Sequence, residues 1–586
     1  MQNETQGGAV DVVIVGLGPT GLTLAHALGR RGRSVLVLER EPAFYGNARA
    51  VYTDDECMRI FQSLGLARDL EPQMLTDTQV QWVLPDGSVL MQMRDTDRPH
   101  GWSRSNFFYQ PYLETTMAER LDRYTNVTVR RGREVVRFEQ DAEGVTVHHL
   151  ATEGSRYGRA APMGDASDTP AREESVRARY LVACDGGRSG TRAQLGIAMT
   201  GRSFPNPWLV VDIVEKQRGT GLHHLPYFNF ICDPVCPTVS CVQPDGHHRF
   251  EFMLMPGQTR EYMEAPETVR EHLARHVDVD KFDVLRHLVY TFNALIAERW
   301  RVGRVFLAGD AAHMTPQFIG QGMNAGVRDA WNLSWKLDAV LGGRADESLL
   351  DSYQSERFPH VRDMIQTAVR MKDFVSMASP VKALLRNLIV RTAMRLPVAG
   401  PYLRSGNFIP LPFYNEGCYF GLPRKNRRAA PGRLPPQPMV RDADGQRRLL
   451  DELLGDEYAL VGLGVDPRSN LHPAGLEAWQ RVGARFVALY PMGERPQGDV
   501  NRASPEGVIE VEDVHCTLVD WFRSRGHGLG SIAVLRPDRF VYGVAPASEM
   551  PAVARALAGA LGIPDQGSAG RSPMSIAQSS NRRQAA

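Results

Sequence analysis

A glycine-rich turn near the start of the chain carries the residues best suited to hold a phosphate-bearing cofactor. An apolar run precedes the turn, and a helical stretch, a second apolar run and the acid Glu39 follow it. Gly16 permits a tight turn, Gly18 lets a pyrophosphate approach the backbone, and Gly21 lets the helix pack close to the sheet. The helix N-terminus offers N–H groups to phosphates, and Glu39 is placed to accept hydrogen bonds from ribose hydroxyls. The pattern predicts a dinucleotide site; the alternative is a glycine-rich turn in an unrelated α/β protein.

Two further motifs place an acid where an apolar run ends. They are Tyr180–Ser189, which contains Asp185, and Arg304–Asn324, which contains Gly309 and Asp310. Because ligands of open α/β sheets bind outside the carboxyl ends of the strands, both acids are candidates for the same site. A second helix begins near Gly322, where its N–H groups would stabilise negative charge on a bound group. The alternative for either acid alone is a helix N-cap.

The three motifs together resemble the signatures of the class A flavin-dependent aromatic hydroxylases. The matching stretches are G-L-G-P-T-G, A-C-D-G-G-R-S and A-G-D-A-A-H, and the resemblance covers about Val10 to Arg357 and, more weakly, the C-terminal unit. It implies that the first motif holds FAD rather than NAD. It also implies that NADH is the electron donor and that O2 and a small aromatic molecule are the other reactants. Because no second glycine motif follows a strand, NADH is expected to bind transiently at the flavin.

The resemblance also assigns roles to single residues. Arg49 is expected beside the flavin, Gln110 is expected to open a helix that contacts the cofactor, and Pro316 is expected where a proline carbonyl approaches the reacting ring. The expected cofactor-binding residues are Gly16, Gly18, Pro19, Thr20, Gly21, Glu39, Arg40, Arg49, Gln110, Asp185, Gly309, Asp310, Gly322, Met323 and Asn324.

Four segments are similar to a narrower group of these hydroxylases, which act on phenylpropanoid acids. They are Pro205–Ile213, Cys232–Pro237, Arg249–Gly257 and Gly320–Leu337. The similarity implies that one oxygen atom of O2 is inserted ortho to the phenol of a meta-hydroxylated phenylpropanoid acid, in aromatic catabolism. Three alternatives stay open: a hydroxylase of another phenol or of a polyketide, an FAD-dependent reductase without oxygen insertion, and a flavin-binding protein without catalysis.

Besides Pro316, two side chains are predicted to take part in the reaction. A phenol, with a pKa of about 10, is activated when it loses its proton, so a hydrogen-bonded base would help at neutral pH. His313 lies in the third motif and is a candidate for proton transfer; the alternative is a structural histidine. Arg249 is a candidate partner for the substrate carboxylate; the alternative is a strand residue that faces solvent.

Several histidines and cysteines lie close together in the sequence, between residues 223 and 248. Both residue types can bind zinc when their spacing is right. The spacing of Cys232, Cys236 and Cys241 is irregular, and strands between them would scatter the side chains over two faces. Partly buried thiols are the favoured interpretation, and no metal is expected.

The elements around these motifs indicate an α/β protein. We expect an FAD-binding Rossmann-like domain of the para-hydroxybenzoate-hydroxylase type, with an inserted β-rich substrate domain and a C-terminal thioredoxin-like α/β domain that has no Cys-x-x-Cys motif. The predicted boundaries are 10–204 for the first part of the FAD-binding domain, 205–301 for the substrate domain, 302–400 for the second part of the FAD-binding domain with a helical segment, 401–438 for a linker, 439–565 for the C-terminal domain and 566–586 for a disordered tail. Ala151–Glu174 is expected to be an exposed hairpin extension.

Composition excludes several classes of function. The 586 residues include 68 basic and 67 acidic side chains, so no nucleic-acid partner is expected. No run of about 18 uncharged apolar residues is present, so no membrane association is expected. Seven scattered cysteines and a polar start predict reduced thiols and a cytoplasmic enzyme. The assembly state is left open, with a homodimer as one alternative.

Overall fold

The computed structural model describes residues 9–44, 49–93, 97–154, 172–421, 428–469, 471, 473–496 and 507–562. Most of the predicted extension (residues 155–171) and the predicted tail (566–586) lie outside the described residues. No helix within the described ranges is long and apolar enough to cross a membrane.

Among its described residues, the N-terminal part contributes ten strands, which belong to three sheets, and four α-helices. The strands are β1 (Val10–Val15), β2 (Val35–Glu39), β3 (Tyr52–Thr53), β4 (Met74–Thr76), β5 (Val80–Val83), β6 (Val89–Met93), β7 (Asn106–Phe108), β8 (Val127–Arg131), β9 (Arg133–Gln140) and β10 (Val145–Ala151). The helices are α1 (Pro19–Arg30), α2 (Asp55–Ser63), α3 (Ala67–Leu70) and α4 (Gln110–Glu119).

The middle of the chain is rich in strands. Its elements are β11 (Glu174–Ala183), α5 (Gly190–Gln194), β12 (Met199–Ser203), β13 (Trp208–Glu215), β14 (Phe228–Ile231), β15 (Thr238–Val242), β16 (His247–Met253), α6 (Arg260–Glu264), α7 (Pro266–Ala274), β17 (Phe282–Tyr290) and β18 (Asn293–Ala297). The chain then returns through β19 (Arg301–Val302), β20 (Val305–Leu307), β21 (His313–Met314), α8 (Gly322–Leu341), α9 (Ser352–Val375), α10 (Pro380–Arg395) and α11 (Ala399–Arg404).

A largely parallel sheet positions the three motifs. Its order is β19-β20-β11-β1-β2-β8, and β20, β11, β1, β2 and β8 run parallel. Such strands are covered on both faces, which is why β1 and β2 are almost continuous apolar runs. The carboxyl ends of β1, β11 and β20 are neighbours, so the motifs that follow these strands meet at one edge.

A second sheet has the order β17-β13-β16-β15-β14-β5-β6. The hairpin β5–β6 lies within the 10–204 segment that was predicted as the first part of the FAD-binding domain, but it pairs with β14 and extends this second sheet. Strand β17 was not predicted; it pairs along the whole of β13. One face of the sheet, with Leu209, Val211 and Phe250, packs with α6 and α7. We call the opposite face, which carries Trp208 and Glu251, the inner face.

The C-terminal part forms a third sheet, of order β23-β22-β26-β25-β24-β27-β28. Its elements are β22 (Met439–Arg441), β23 (Arg447–Leu449), α12 (Asp451–Leu454), β24 (Ala459–Leu463), α13 (Pro473–Arg481), β25 (Arg485–Pro491), β26 (Val508–Asp513), α14 (Thr517–Arg523), β27 (Ser531–Leu535), β28 (Val541–Pro546) and α15 (Met550–Ala560). Buried ion pairs join this part to the rest: Arg536 to Glu356 at 2.7 Å, and Arg59 to Asp451 at 2.7 Å.

Candidate active site

The first glycine motif forms the turn between β1 and α1. Gly16 has a φ of +101°, and a Cβ there would lie 2.5 Å from the carbonyl oxygen of Cys184. A Cβ on Gly21 would lie 2.1 Å from the carbonyl oxygen of Gly16, because the helix packs directly on the turn. At Gly18, by contrast, a Cβ would meet no described atom within 4 Å. The turn therefore needs two glycines for packing and leaves open space at the third, which suits the close approach of a pyrophosphate.

The start of α1 presents backbone N–H groups beside a fixed carboxylate. Gly18 is the N-cap, Pro19 follows it in the first turn, and no side chain caps the helix. The carboxylate of Glu39, at the end of β2, accepts hydrogen bonds from the backbone N–H groups of Leu17 at 2.7 Å and Glu41 at 2.8 Å. Glu39 is thus held next to the glycine turn, where a ribose contact would require it.

The segment around Arg49 is positioned by Gln110. The Oε1 atom of Gln110 accepts from the backbone N–H groups of Arg49 at 2.5 Å and Ala50 at 2.6 Å, and its Nε2 donates to Glu114 at 2.5 Å. Burial raises the pKa of Glu114 to about 7. Arg40 lies in a more open environment, where its half-exposed guanidinium pairs with the carboxylate of the next residue at 3.2 Å.

The second motif supplies a buried carboxylate oxygen without a partner. Asp185 follows β11, next to the carbonyl of Cys184 that contacts the glycine turn. Its Oδ2 accepts from the backbone N–H of Thr191 at 3.1 Å, whereas its Oδ1 is buried and has no hydrogen-bond partner among the described residues. Because buried polar atoms are normally paired, Oδ1 is the candidate for a cofactor contact. Arg192 links this motif to the third by donating to the carbonyl of Ala311 at 2.9 Å.

The third motif meets the first at Thr20. A Cβ on Gly309 would lie 2.6 Å from the Oγ1 of Thr20, and a Cβ on Gly326 of α8 would lie 2.2 Å from the same atom. Asp310, which follows Gly309, is half-buried. The three motifs predicted from the sequence therefore lie together. We call this site the glycine edge; it consists of Gly16–Gly21, Asp185 and Gly309–Asp310.

His313 lies in the core behind the glycine edge. Its Nε2 is 2.6 Å from the Oδ2 of Asp329, and the same Oδ2 accepts from the backbone N–H of Gly309 at 3.0 Å. Arg357 donates to the other carboxylate oxygen at 2.8 Å. Burial alone would raise the pKa of Asp329, but His313 and Arg357 lower it to about 2. His313 is fully buried against Trp300, so its geometry favours the structural alternative over proton transfer to a substrate.

The N-terminus of α8 is the third predicted contact of the cofactor. Its first turn contains Gly322, Met323 and Asn324. The N-cap is Gln321, and no side chain caps the helix. Asn324 is buried and accepts from the hydroxyl of Thr53 at 3.0 Å. One turn later, buried Arg328 pairs with Glu56 at 2.7 Å and fixes α8 against α2.

The turn before α8 touches the inner face of the second sheet. Pro316 is buried, and Gln317–Ile319 form a single helical turn after it. The Nε2 of Gln317 donates a short hydrogen bond to Glu251 of β16. The ring of Phe318 packs on Trp208 of β13 at a centroid distance of 5.2 Å. The inner face therefore contacts the turn that leads into α8.

Arg249 is buried on this inner face, and the sequence alternative of a solvent-facing residue is wrong. Its Nε donates to Asp212 at 2.6 Å, and its Nη1 donates to the carbonyl of Arg49 at 2.6 Å. Arg286 donates to the same Asp212 carboxylate at 2.9 Å. Burial alone would raise the pKa of Asp212, but the two arginines hold it below its usual value. Two guanidinium groups share one carboxylate here, so this trio carries net positive charge.

Sequence reasoning missed Asp212, Glu251 and Arg286. The two acids could have been found because each lies inside an apolar strand, in W-L-V-V-D-I-V and R-F-E-F-M. Burying a carboxylate costs free energy unless it has a partner, so an acid in such a position indicates a partner or a function. A surface cleft of about 480 Å³ between Arg301 and Gln354 has none of the predicted site residues in its lining.

Two family models match the chain. One described as "FAD binding domain" matches residues 9–368, and one described as "HcaD C-terminal domain" matches residues 432–560. A relative from Comamonas testosteroni, named 3-(3-hydroxy-phenyl)propionate/3-hydroxycinnamic acid hydroxylase, is 34% identical over 609 residues, with 96% of this chain and 99% of that protein covered. A relative of the same name from Klebsiella pneumoniae (strain 342) is 36% identical over 548 residues, with 93% and 94% covered.

Among solved structures, the chain resembles the flavin-dependent monooxygenase PieE in complex with FAD and substrate. The TM-score is 0.75 at 22% sequence identity, with 95% of this chain and 100% of that chain covered. At this identity the likeness shows the shared fold. Together with the two family models, it confirms an α/β FAD-binding fold over residues 9–368 that is followed by a separate C-terminal domain.

Proposed function

This chain belongs to the FAD-dependent aromatic monooxygenases, and from that premise we propose that it hydroxylates 3-(3-hydroxyphenyl)propionate and its analogue 3-hydroxycinnamate ortho to the phenol. The product is the 2,3-dihydroxyphenyl compound, the electron donor is NADH, and the reaction belongs to phenylpropanoid catabolism. One observation carries the proposal: relatives named for this activity are 34% and 36% identical over more than nine-tenths of both chains.

The residues of the glycine edge fit FAD. The open space at Gly18 suits a pyrophosphate. The buried Oδ1 of Asp185, which has no partner among the described residues, suits a chain that carries hydroxyl groups. The uncapped start of α8 suits a ring with negative charge. FAD, when bound and reduced, supplies the activation of O2 for transfer to an electron-rich ring. The protein's own residues bind it, orient it and keep the site dry.

The inner face of the second sheet is the proposed wall of the substrate site. Its apolar part, which includes Trp82, Trp208, Phe228 and Phe230, would pack on an aromatic ring and exclude water. Its polar part is the trio of Asp212, Arg249 and Arg286. The excess positive charge of this trio supports the proposal that the substrate carboxylate is held near Arg249, although Arg249 itself is already paired.

We also propose that the C-terminal domain is thioredoxin-like. Strands β25 and β24 are parallel and joined through α13, whereas β27 and β28 add antiparallel, in the order β25-β24-β27-β28. This order supports the assignment. Cys516 is its lone thiol between β22 and α15, so a dithiol redox role is not part of the proposal.

The test is to purify the protein, record its flavin spectrum, and measure NADH oxidation and O2 uptake with and without 3-(3-hydroxyphenyl)propionate. We expect bound flavin, oxidation stimulated by the substrate, and one dihydroxylated product per O2. Stimulation only by another phenol or a polyketide would overturn the substrate. NADH oxidation without hydroxylated product would favour a reductase, and no bound flavin would overturn the whole proposal.

The site itself is tested by Asp310→Ala, which removes a carboxylate at the glycine edge. We expect weaker retention of FAD on gel filtration, because a hydrogen-bond acceptor for the cofactor is lost. Asp280→Ala, which changes an exposed acid outside the site, is the control. Full retention of FAD in the Asp310 variant would remove Asp310 from the cofactor site.

A further inference from the structure

Glu251 is a buried carboxylate that faces the proposed substrate site. It lies on β16, directly opposite Val210 of β13 and Val239 of β15, and is only 4% exposed. Its Oε2 accepts the hydrogen bond from Gln317, the residue after Pro316. Among the described residues, Gln317 is the hydrogen-bond donor to this carboxyl, and it engages Oε2 rather than Oε1.

The surroundings of Glu251 act on the pKa of its carboxyl in opposite directions. Burial raises the pKa of Glu251, and the nearby charge of Asp212 also raises it, whereas Arg249, Arg286 and the Gln317 hydrogen bond lower it. The net result is a pKa of about 7. The other titratable neighbour is Cys241 on β15, whose own thiol pKa is raised by burial and by Glu251. A base whose pKa lies near the working pH transfers protons most effectively.

We propose that Oε1 of Glu251 accepts the phenol proton of the bound aromatic substrate, with Gln317 as the residue that positions the carboxylate. The O–H bond of the phenol breaks, the O–H bond of the Glu251 carboxyl forms, and the electron pair stays on the phenolate oxygen. No oxidant or reductant is needed for this step. The resulting phenolate is the electron-rich ring that hydroxylation requires. This inference rests on the proposed function.

The geometry favours Glu251 over His313, the base candidate from the sequence. His313 is fully buried in the core of the FAD-binding part, and its Nε2 is engaged by Asp329. Glu251 instead lies on the inner face, on the same strand as Arg249 and two residues away from it. A substrate whose carboxylate is held near Arg249 would therefore have its ring alongside Glu251.

The test compares the FAD-loaded wild type with Glu251→Gln and Glu251→Asp, and uses Glu267→Gln, an exposed acid on α7, as control. In wild type we expect kcat/KM to fall on the acid side of about pH 7. In Glu251→Gln we expect kcat at pH 7 to fall by about 10²-fold, the usual contribution of a general base. The loss should shrink as the pH approaches about 10, where the phenol ionises unaided. Glu251→Asp should retain part of the activity, and the control should match wild type.

A second readout does not depend on turnover. The ultraviolet difference spectrum of a phenolic ligand on the oxidised holoenzyme reports phenol or phenolate. We expect phenolate on wild type near pH 7, and phenol on Glu251→Gln until a distinctly higher pH. Turnover within two-fold of wild type at pH 7, together with an unchanged ligand spectrum, would overturn the proposal.

Gln317→Met keeps the carboxylate and removes its hydrogen bond, so it decides the question even if Glu251→Gln fails to fold. Because that bond lowers the pKa of Glu251, its loss should move the acid limb of kcat/KM to higher pH. An unchanged limb would contradict the proposal. Failure of the proposed function looks different: wild type itself would then hydroxylate no phenolic acid at any pH.

Discussion

The glycine edge and the inner face are built from different parts of the chain. At the glycine edge the critical features are backbone: two glycines that a Cβ would block, one that leaves open space, and two uncapped helix starts. On the inner face they are side chains, with Asp212, Arg249 and Arg286 in one ion cluster and Glu251 held by Gln317.

The difference decides how each region responds to change. A site built from backbone depends on its shape. A single added methyl group therefore lowers either the stability of the fold or the affinity for the cofactor, according to whether it points at protein atoms or into open space. A site of buried charges depends on pairing, because an unpaired charge in the interior is costly. Three substitutions in these two regions, and a fourth on the other face of the second sheet, test this difference.

The largest effect is expected for Asp212→Ala on the inner face. It would leave Arg249 buried without its carboxylate, and loss of one partner of a buried pair typically costs about 3–5 kcal/mol. The urea midpoint should fall accordingly. Asp280→Ala breaks an exposed pair with Arg270 and should move the urea midpoint far less, because exposed ion pairs contribute little to stability. Equal midpoints for the two variants would show that the inner face does not depend on pairing.

Among substitutions that add a methyl group at the glycine edge, Gly21→Ala should lower the stability of the fold most. Its Cβ would lie 2.1 Å from the Gly16 carbonyl oxygen, so α1 must move off the turn, with an expected cost of about 1–3 kcal/mol. Gly559→Ala in α15 is the matched helical control, because its Cβ would meet no described atom within 4 Å. That control should be neutral or slightly stabilising. Calorimetric melting of both variants gives the comparison.

The other face of the second sheet offers a pH test of buried side chains. Burial lowers the pKa of His248 to about 3, and its Nε2 lies 2.8 Å from the hydroxyl of Ser240. Because the unfolded value is 6.5, the unfolded chain binds the proton first as the pH falls. The contribution of His248 is complete above pH 6.5, and about 2 kcal/mol of it is lost between pH 7 and pH 5. The urea midpoint of His248→Gln should therefore fall less than that of wild type over this range; parallel curves would contradict the burial argument.

Gly18→Ala should have the smallest effect on stability and a clear effect on the cofactor. Its Cβ would enter space that no described atom occupies, so the melting temperature should change little. The affinity for FAD should fall by about tenfold or more, which corresponds to about 1.4 kcal/mol. Fluorescence titration of the apoprotein with FAD measures it. Unchanged affinity would mean that the pyrophosphate does not approach Gly18.

Much of the glycine edge could be predicted because its signals are local. The order of strand, glycine turn, helix and acid lies within one continuous segment, and the helix that was predicted to begin near Gly322 is observed from Gly322 to Leu341. The inner face could not be predicted in the same way. Arg249 was predicted as a partner of the substrate carboxylate, but its burial and its ion pair could not be predicted, since its partners Asp212 and Arg49 are 37 and 200 residues away.

The sequence by itself determined the α/β class and the three motifs, and it predicted that the motifs meet at the carboxyl ends of parallel strands. It could do so because a strand, a glycine turn and an acid form a local pattern. Only the tertiary structure decided that β5–β6 belongs to the second sheet, that His313 is engaged by Asp329, and that Glu251 faces Gln317. These facts depend on which distant strands become neighbours. The cost of burying a charge is then set by the partner that folding brings to it.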